Sequence, residues 1–300
     1  MKVFYSAKPA AERLAQISMM AIMMVAMMFS GCSKSDDDPE PPKNDSISCT
    51  IDITFNFGPD ISQRPMTRAT LTELNMTDLW IFDYMGDELK GTTHQQSTDD
   101  DFGCPTLSLE YGEHTFYFVA SRGVDPVVDT SAKTITWGSV RDTFMASLSL
   151  NVQPKSGGTK NVVLNRCVGR LKIAATDVVP DNAAKFTITP STWYYGLNYA
   201  TGAATASASS TIAVNIPSSY IGTQNLIVSV YTISGSEAWQ TDVTAALLAG
   251  DESVIGSVTI QNVPIHTNHI TSYQGGIVGA GRNINITGDD EWVEDEPVNW

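Results

Sequence analysis

Residues 50–57 read Thr50-Ile51-Asp52-Ile53-Thr54-Phe55-Asn56-Phe57, in which polar and apolar side chains alternate strictly. A period of two is the pattern of a strand that buries one face, and Gly58-Pro59-Asp60 would end it. Runs rich in β-branched and aromatic residues recur at 79–84, 114–119 and 226–233. Many short strands with turn residues between them predict an all-β fold built of β-sandwiches.

Three segments are predicted to lie outside strands. Residues 241–249 are the one candidate for a longer helix, with Gly250 to close it. Residues 92–103 form a long polar stretch, and residues 201–210 are a low-complexity stretch of Ala, Ser, Thr and Gly. Both of these stretches are expected to be loops.

The first 31 residues have the features of a secretory signal peptide, because Lys2, Lys8 and Arg13 precede an apolar run at 17–29. That run is about thirteen residues long, against roughly 20 needed to span a bilayer. It ends in Phe29-Ser30-Gly31-Cys32, which resembles the lipobox of bacterial lipoproteins. The resemblance implies that Cys32 becomes the mature N-terminus and carries fatty acyl chains such as palmitate. The alternative is an ordinary signal peptide that ends near a cysteine.

Proline and glycine divide the rest of the chain. Residues 32–47 are acidic and Pro-rich, which predicts an extended tether. Pro154-Lys155-Ser156-Gly157-Gly158 is the best candidate for a linker between domains. The predicted organisation is therefore a signal peptide at 1–31, a tether at 32–47, a first β-sandwich at 48–157, and a second at 158–300 that ends in an acidic tail.

The charge of the chain argues against one class of partner. There are 18 Lys and Arg residues against 33 Asp and Glu, a formal net charge of −15 at pH 7. Loss of the basic segment 1–31 would make the chain more acidic still. An acidic surface repels phosphate groups, so no nucleic-acid binding is predicted.

Four cysteines are present: Cys32, Cys49, Cys104 and Cys167. If Cys32 carries lipid, the remaining three allow one disulfide and one thiol in an oxidising compartment. Their spacings fit no zinc pattern. We expect them to act mostly as small buried apolar residues, and the sequence leaves their pairing open.

No catalytic motif stands out, since Gly-x-Ser-x-Gly, the Walker A loop and His-Glu-x-x-His are absent from the sequence. His266 and His269 have the spacing of two metal ligands on a helix, but Pro264 and the turn-forming residues beside them favour exposed loop histidines. The glycine-rich residues 275–281 lack the strand-then-helix context of a dinucleotide loop, which favours a turn between two strands. The sequence predicts no enzyme, no cofactor and no metal.

Two clusters suggest ligands but have a simpler interpretation. Asp289-Asp290-Glu291 and Glu294-Asp295-Glu296 offer oxygen ligands suited to calcium, yet their spacing fits no EF-hand loop. An acidic surface tail is the favoured interpretation, with Trp292 and Trp300 docked on the last domain. Trp193-Tyr194-Tyr195 with Tyr199 would suit a sugar-stacking platform, but packing in the core or at an edge of a sandwich is favoured.

Several segments in order resemble the FimB-type fimbrillin anchor family, which are lipoproteins of Bacteroidia type V pili. The resemblance covers nearly the whole chain after the signal peptide. Its motifs are the lipobox at Cys32, residues 51–57, Met66-Thr67-Arg68-Ala69-Thr70, residues 79–83 with Gly86, Asn165-Arg166-Cys167-Val168-Gly169-Arg170-Leu171-Lys172-Ile173, residues 177–180, Val263-Pro264, residues 268–275, and Trp292 with Trp300.

This resemblance implies two tandem transthyretin-like or Ig-like β-sandwich domains. It also implies a non-enzymatic lipoprotein, held at the cell outer membrane through Cys32 and exposed at the base of a fimbrium. Such a protein anchors or helps to assemble surface fimbriae and so supports cell adhesion. Its partners would be other fimbrial subunits.

Subunits of this pilus type join by strand addition, in which a strand of one subunit fills a groove in another. The resemblance makes Ile51, Ile53, Phe55 and Phe57 the candidate donor or self-complementing strand, and a trypsin-like cut after Arg68 would remove it. The motif set favours an anchor that keeps this strand. The alternatives are a processed stalk or tip subunit and, from another class, a surface glycan-binding lipoprotein.

Overall fold

The structure, a computed structural model, describes residues 46–56, 74–235, 238–279 and 283–291, which belong to one unit, Asn44–Trp300. The predicted signal peptide, Cys32, nearly all of the tether, Phe57, Arg68 and the end of the acidic tail lie outside the described residues. What the sequence predicts for them stays a prediction.

The first half of the described chain consists mostly of strands. They are β1 (Ile47–Asn56), β2 (Asp78–Met85), β3 (Glu88–Gln96), β4 (Thr106–Leu109), β5 (Gly112–Ser121), β6 (Val124–Asp129), β7 (Thr134–Ser139), β8 (Thr143–Val152) and β9 (Gly158–Arg166).

The second half has the same character, with one short 3₁₀ helix at Ser218–Tyr220. Its strands are β10 (Val168–Ala175), β11 (Ala183–Pro190), β12 (Trp193–Asn198), β13 (Ala204–Ala208), β14 (Ile212–Asn215), β15 (Leu226–Ile233), β16 (Trp239–Ala249), β17 (Val254–Ile265), β18 (His269–Gly276) and β19 (Asn283–Glu291).

Sheet 1 has seven strands in the order β3-β2-β5-β8-β9-β1-β4. Residues on one face of it form the N-terminal core, which includes Leu79, Ile81, Phe116, Phe118 and Leu164. These residues alternate along β2 and β5, so period-two patterning decides which side chains enter this core.

Sheet 2, in the order β13-β12-β7-β6, covers the other face of β2 and β5. The middle core lies between the two sheets, where Trp80 and Phe82 of β2 and Val119 of β5 meet Ile135 and Trp137 of β7. Strand β2 is therefore buried on both faces, which explains why its run of apolar residues is nearly continuous.

Sheets 3 and 4 form a sandwich around the C-terminal core. Sheet 3 has the order β15-β10-β18-β19 and sheet 4 the order β14-β11-β16-β17. Leu171 and Val228 from sheet 3 pack with Phe186, Val243 and Leu247 from sheet 4. The all-β sandwich fold predicted from the sequence is thus confirmed.

The helix predicted for residues 241–249 is wrong, because this segment belongs to strand β16. Alternate residues of β16 from Thr241 to Ala249 are buried, and the strand pairs with β11 on one side and β17 on the other. The helix propensity of Ala and Leu is weak compared with two full ladders of hydrogen bonds and the burial of one face.

Two of the predicted loops are partly strands. Strand β3 extends to Gln96 because it pairs with β2 along its length. In the low-complexity stretch, residues 204–208 form β13, an outer strand of sheet 2 that pairs with β12. Backbone hydrogen bonds to a neighbouring strand do not require a distinctive side-chain pattern, so composition alone missed both strands.

The predicted domain division at 157/158 stays a prediction. Strand β9 begins directly after it and nevertheless pairs with β1 and β8 in sheet 1. The chain passes from sheet 1 to sheet 3 at Cys167, between β9 and β10.

Candidate strand-exchange site

Strand β1 lies between two strands that are distant from it in sequence. It runs parallel to β9, with Cys49 opposite Gly158 and Asn56 opposite Asn165, and antiparallel to β4, with Ile47 opposite Leu109. The backbone N–H of Ile51 also donates to the carbonyl oxygen of Pro105 at 3.0 Å. Since no hairpin turn connects β1 to either neighbour, its position depends on long-range pairing and on the burial of its side chains.

Alternate side chains of β1 enter the N-terminal core. Cys49, Ile51 and Ile53 are 1%, 0% and 2% exposed, and they pack in the same cluster as Val162 and Leu164 of β9. Of the four residues proposed for the exchangeable strand, the side chain of Phe55 and all of Phe57 lie outside the described part. The two that are described occupy a slot in sheet 1 that is lined by apolar side chains.

The Cys49 thiol is buried in this slot. Its Sγ donates to the carbonyl oxygen of Gly158 at 3.3 Å, and burial raises the pKa of the thiol above its ordinary value, an effect that Lys160 partly opposes. Cys167 is also a buried thiol, and its Sγ donates to the Thr143 carbonyl oxygen at 3.4 Å. The expectation of buried small residues is confirmed for these two, while Cys104 is half-buried.

The corner between β4 and β5 is held by an ionisable pair. His114 is 2% exposed; its Nδ1 lies 2.7 Å from Asp83 Oδ1, and its Nε2 lies 3.0 Å from the carbonyl oxygen of Glu110. Burial raises the pKa of the Asp83 carboxyl, and the His114 hydrogen bond partly offsets this effect. The pair borders a cleft of about 270 Å³ between β3 and β4, with Lys90 on its wall.

The sequence pointed to neither His114 nor Asp83. The sequence does contain a sign of the role of His114. His114, Phe116 and Phe118 are alternate residues of β5 and therefore lie on the same, buried face of the strand. A polar side chain on the buried face of a strand needs a hydrogen-bond partner. Which residue is that partner is decided by the pairing of β2 with β5, which sequence periodicity does not give.

The passage from sheet 1 to sheet 3 is fixed by Arg166. Its Nε and Nη2 donate to the two carboxylate oxygens of Asp142 at 2.8 and 3.0 Å, and its Nη1 donates to Asn268 Oδ1 at 2.8 Å. Nearby, a Cβ on Gly169 would lie 2.7 Å from the carbonyl oxygen of His266. The sequence motif at 165–173 therefore contains residues that tie β9 and β10 to the turn before β18.

The residues of the candidate ligand clusters lie at different places in the described part. No group of three His, Cys, Asp or Glu side chains there is arranged to hold a metal ion. The rings of His266, in the connection from β17 to β18, and His269, the first residue of β18, are 5.2 Å apart. Both residues are half-buried, so the prediction of exposed loop histidines is wrong. Trp193 and Tyr199 are fully buried, which agrees with packing rather than with a sugar platform.

The two C-terminal sequence motifs end up in different places. Of the glycine-rich residues, Gly275 and Gly276 end strand β18, which is antiparallel to β19, and residues 277–279 follow it. Residues 280–282 lie outside the described part. Residues 289–291 belong to β19, but their side chains are not among those described, and residues 294–296 lie outside the described part. None of the described segments is a helix of the length and hydrophobicity needed to cross a bilayer.

The fold and the slot occupied by β1 define an all-β protein that holds its first described strand by noncovalent contacts between distant strands. The chain belongs to DUF6562, a family of unknown function, whose model matches residues 115–299. No curated protein matches it.

Several solved structures are similar to the chain at very low identity. A proposed cell adhesion protein from Bacteroides ovatus has 11% identity and a TM-score of 0.49, covering 84% of this chain and 99% of its own. A proposed polysaccharide-binding protein from Bacteroides thetaiotaomicron has 8% identity and a TM-score of 0.49, with coverage of 81% and 96%. The fimbrial anchor protein Mfa2 from Porphyromonas gingivalis has 7% identity and a TM-score of 0.43, with coverage of 76% and 90%.

Proposed function

We propose that this chain is a non-enzymatic, lipid-anchored protein of the cell outer membrane that anchors or helps to assemble surface fimbriae by strand addition. Cys32 carries the lipid, and residues 33–47 hold the folded part away from the membrane. Partner subunits engage through added strands, and the assembly supports cell adhesion. The fimbrillin-type motifs in the sequence are the starting point of this proposal.

One structural observation supports the proposal most directly. Strand β1 fills an apolar slot between β9 and β4 with no hairpin link to either, and both of its described isoleucines are buried. A strand held in this way is separable in principle, because its removal breaks no hairpin of sheet 1. The slot it would leave has backbone groups for pairing on both sides and apolar side chains below, as strand addition requires.

Arg68 connects this slot to the choice between an anchor and a polymerising subunit. It follows β1 in the sequence, and a cut after it would leave the β1 segment attached only by noncovalent contacts. In an anchor, the peptide bond after Arg68 stays intact and the protein's own strand β1 continues to fill the slot. A stalk or tip subunit would lose the segment and accept a foreign strand. We favour the anchor because the set of fimbrillin-type motifs in the sequence resembles that of the anchor family.

The experiment is to measure the intact mass and map the N-terminal peptide of the protein purified from its native outer membrane. We expect a diacylated or triacylated Cys32 with residues 33–68 still attached. A chain that starts at Ala69 would identify a processed, strand-accepting subunit instead. A chain that starts near residue 32 without any acyl mass would overturn the lipoprotein assignment.

A further inference from the structure

His114 makes two hydrogen bonds that together require a fixed number of protons. A carbonyl oxygen only accepts hydrogen bonds, so Nε2 must carry a proton to donate to Glu110. On the other side, the 2.7 Å contact of Nδ1 with Asp83 Oδ1 needs a proton between the two atoms, on either the ring or the carboxyl. Without that proton, the one proton left on the ring can satisfy only one of the two contacts. On Nδ1 it leaves Nε2 unable to donate to Glu110, and on Nε2 it leaves a lone pair facing the carboxylate.

The surroundings of the pair favour retention of the shared proton. Burial raises the pKa of Asp83, and the ring of His114 stacks on Phe116 rather than facing solvent. The charged groups facing the pair are Glu110 from the β4–β5 connection and Lys90 from β3, which is itself paired with Glu88. The residue opposite His114 on β8 is Leu150, which does not ionise.

The hydrogen bond to Glu110 acts directly on the edge of the β1 slot. Glu110 follows the last residue of β4, Leu109, which is 2% exposed and pairs with Ile47 of β1. Strand β4 is only four residues long and has β1 as its neighbour in sheet 1. Loss of the His114 bond to Glu110 would therefore release the end of β4, the strand that flanks β1.

We propose that the His114–Asp83 pair is a proton-dependent latch that holds the end of β4 in place beside β1 and loosens as the pH rises. Burial raises the pKa of the Asp83 carboxyl, so the folded pair holds a proton that this carboxyl gives up in the unfolded chain. The stability contributed by the pair is fully present at lower pH and is lost as the pH rises through the deprotonation of the pair. That the latch controls exchange of β1 with a partner strand rests on the proposed function; the latch itself does not.

The test is backbone hydrogen exchange of the intact protein at pH 5.5 and 8.5, corrected for the intrinsic exchange rate at each pH. We expect the equilibrium constant for opening of β1 and β4 to be at least about fivefold larger at pH 8.5 than at pH 5.5. Release of one proton can change this constant by at most about tenfold per pH unit. The exchange of β16 and β17 in the C-terminal core should stay constant. An equal change in all four strands, or no change in β1 and β4, would falsify the latch.

The matched variants are His114→Gln and His94→Gln. His94 forms a similar pair with Asp78, in which Nε2 and Oδ1 are 2.8 Å apart. Its side chain, however, is 40% exposed, and it lies near the end of β3, whereas Lys90 beside the His114–Asp83 pair lies near the start. His114→Gln should remove the pH dependence of exchange in β1 and β4, whereas His94→Gln should keep it. The same pH dependence in both variants would assign the effect to another group. None of these outcomes depends on whether the protein builds fimbriae.

Discussion

Ile51 lies at the centre of β1, where it is completely buried. Its side chain packs in the N-terminal core with residues from strands that are distant from it in sequence. Its contribution to stability therefore measures how firmly the slot holds β1. Val163, on the neighbouring strand β9, is a comparable β-branched residue, but it is 37% exposed.

We expect Ile51→Ala to lower the free energy of unfolding by about 2–5 kcal/mol, because it deletes buried methyl groups and leaves a cavity. Val163→Ala should cost less than about 1 kcal/mol, since its side chain faces solvent. Urea unfolding followed by tryptophan fluorescence measures both. Equal losses in the two variants would mean that β1 is not anchored through this face.

Strand β1 is also a candidate for exchange as a whole element. As long as the chain is continuous beyond it, a transiently released strand returns rapidly, because the covalent connection keeps it at high local concentration. A cut after Arg68 removes this connection without removing any pair of sheet 1. The buried Cys49 thiol makes the difference measurable, since a thiol reagent reaches it only when the slot opens.

After cleavage at Arg68 by a trypsin-like protease, we expect the β1 fragment to remain bound in buffer. Cys49 should then become reactive to a thiol reagent at a lower urea concentration than in the uncut protein. The variant Arg68→Gln, treated with the same protease, should behave like the uncut protein. If Cys49 became reactive at the same urea concentration with and without the cut, the covalent connection would be irrelevant to the retention of β1.

At the scale of the whole molecule, the proposed function depends on attachment to a membrane through one residue. The chain has four cysteines, two of which are buried thiols in the described structure. Cys104 is half-buried and lies beyond the lipobox, which makes it a suitable control for Cys32.

Cells that are fed a labelled fatty acid should incorporate the label into the natural protein and into Cys104→Ala. Cys32→Ala should lose the label entirely and should no longer sediment with the outer membrane, since acyl chains contribute about 0.8 kcal/mol of membrane affinity per buried CH₂. Label retained in Cys32→Ala would place the acylation elsewhere or reduce the lipobox to a chance match.

The sequence alone determined the all-β class and much of the local structure. Period two in β1 and β5 gives the buried face of each strand, because successive side chains of a strand point to opposite sides. The same reasoning assigns Ile51 and Ile53 to one face, and the structure buries both.

Only the tertiary structure decided which strands are neighbours and which side chains they bring into contact. Local patterning predicts a face but not a partner, so the parallel pairing of β1 with β9, more than a hundred residues away, could not be derived from it. The helical prediction for β16 was wrong because pairing with β11 and β17 outweighs a weak intrinsic preference. The contact of His114 with Asp83 likewise exists only because β2 pairs with β5, and such long-range pairs form when the whole sheet assembles.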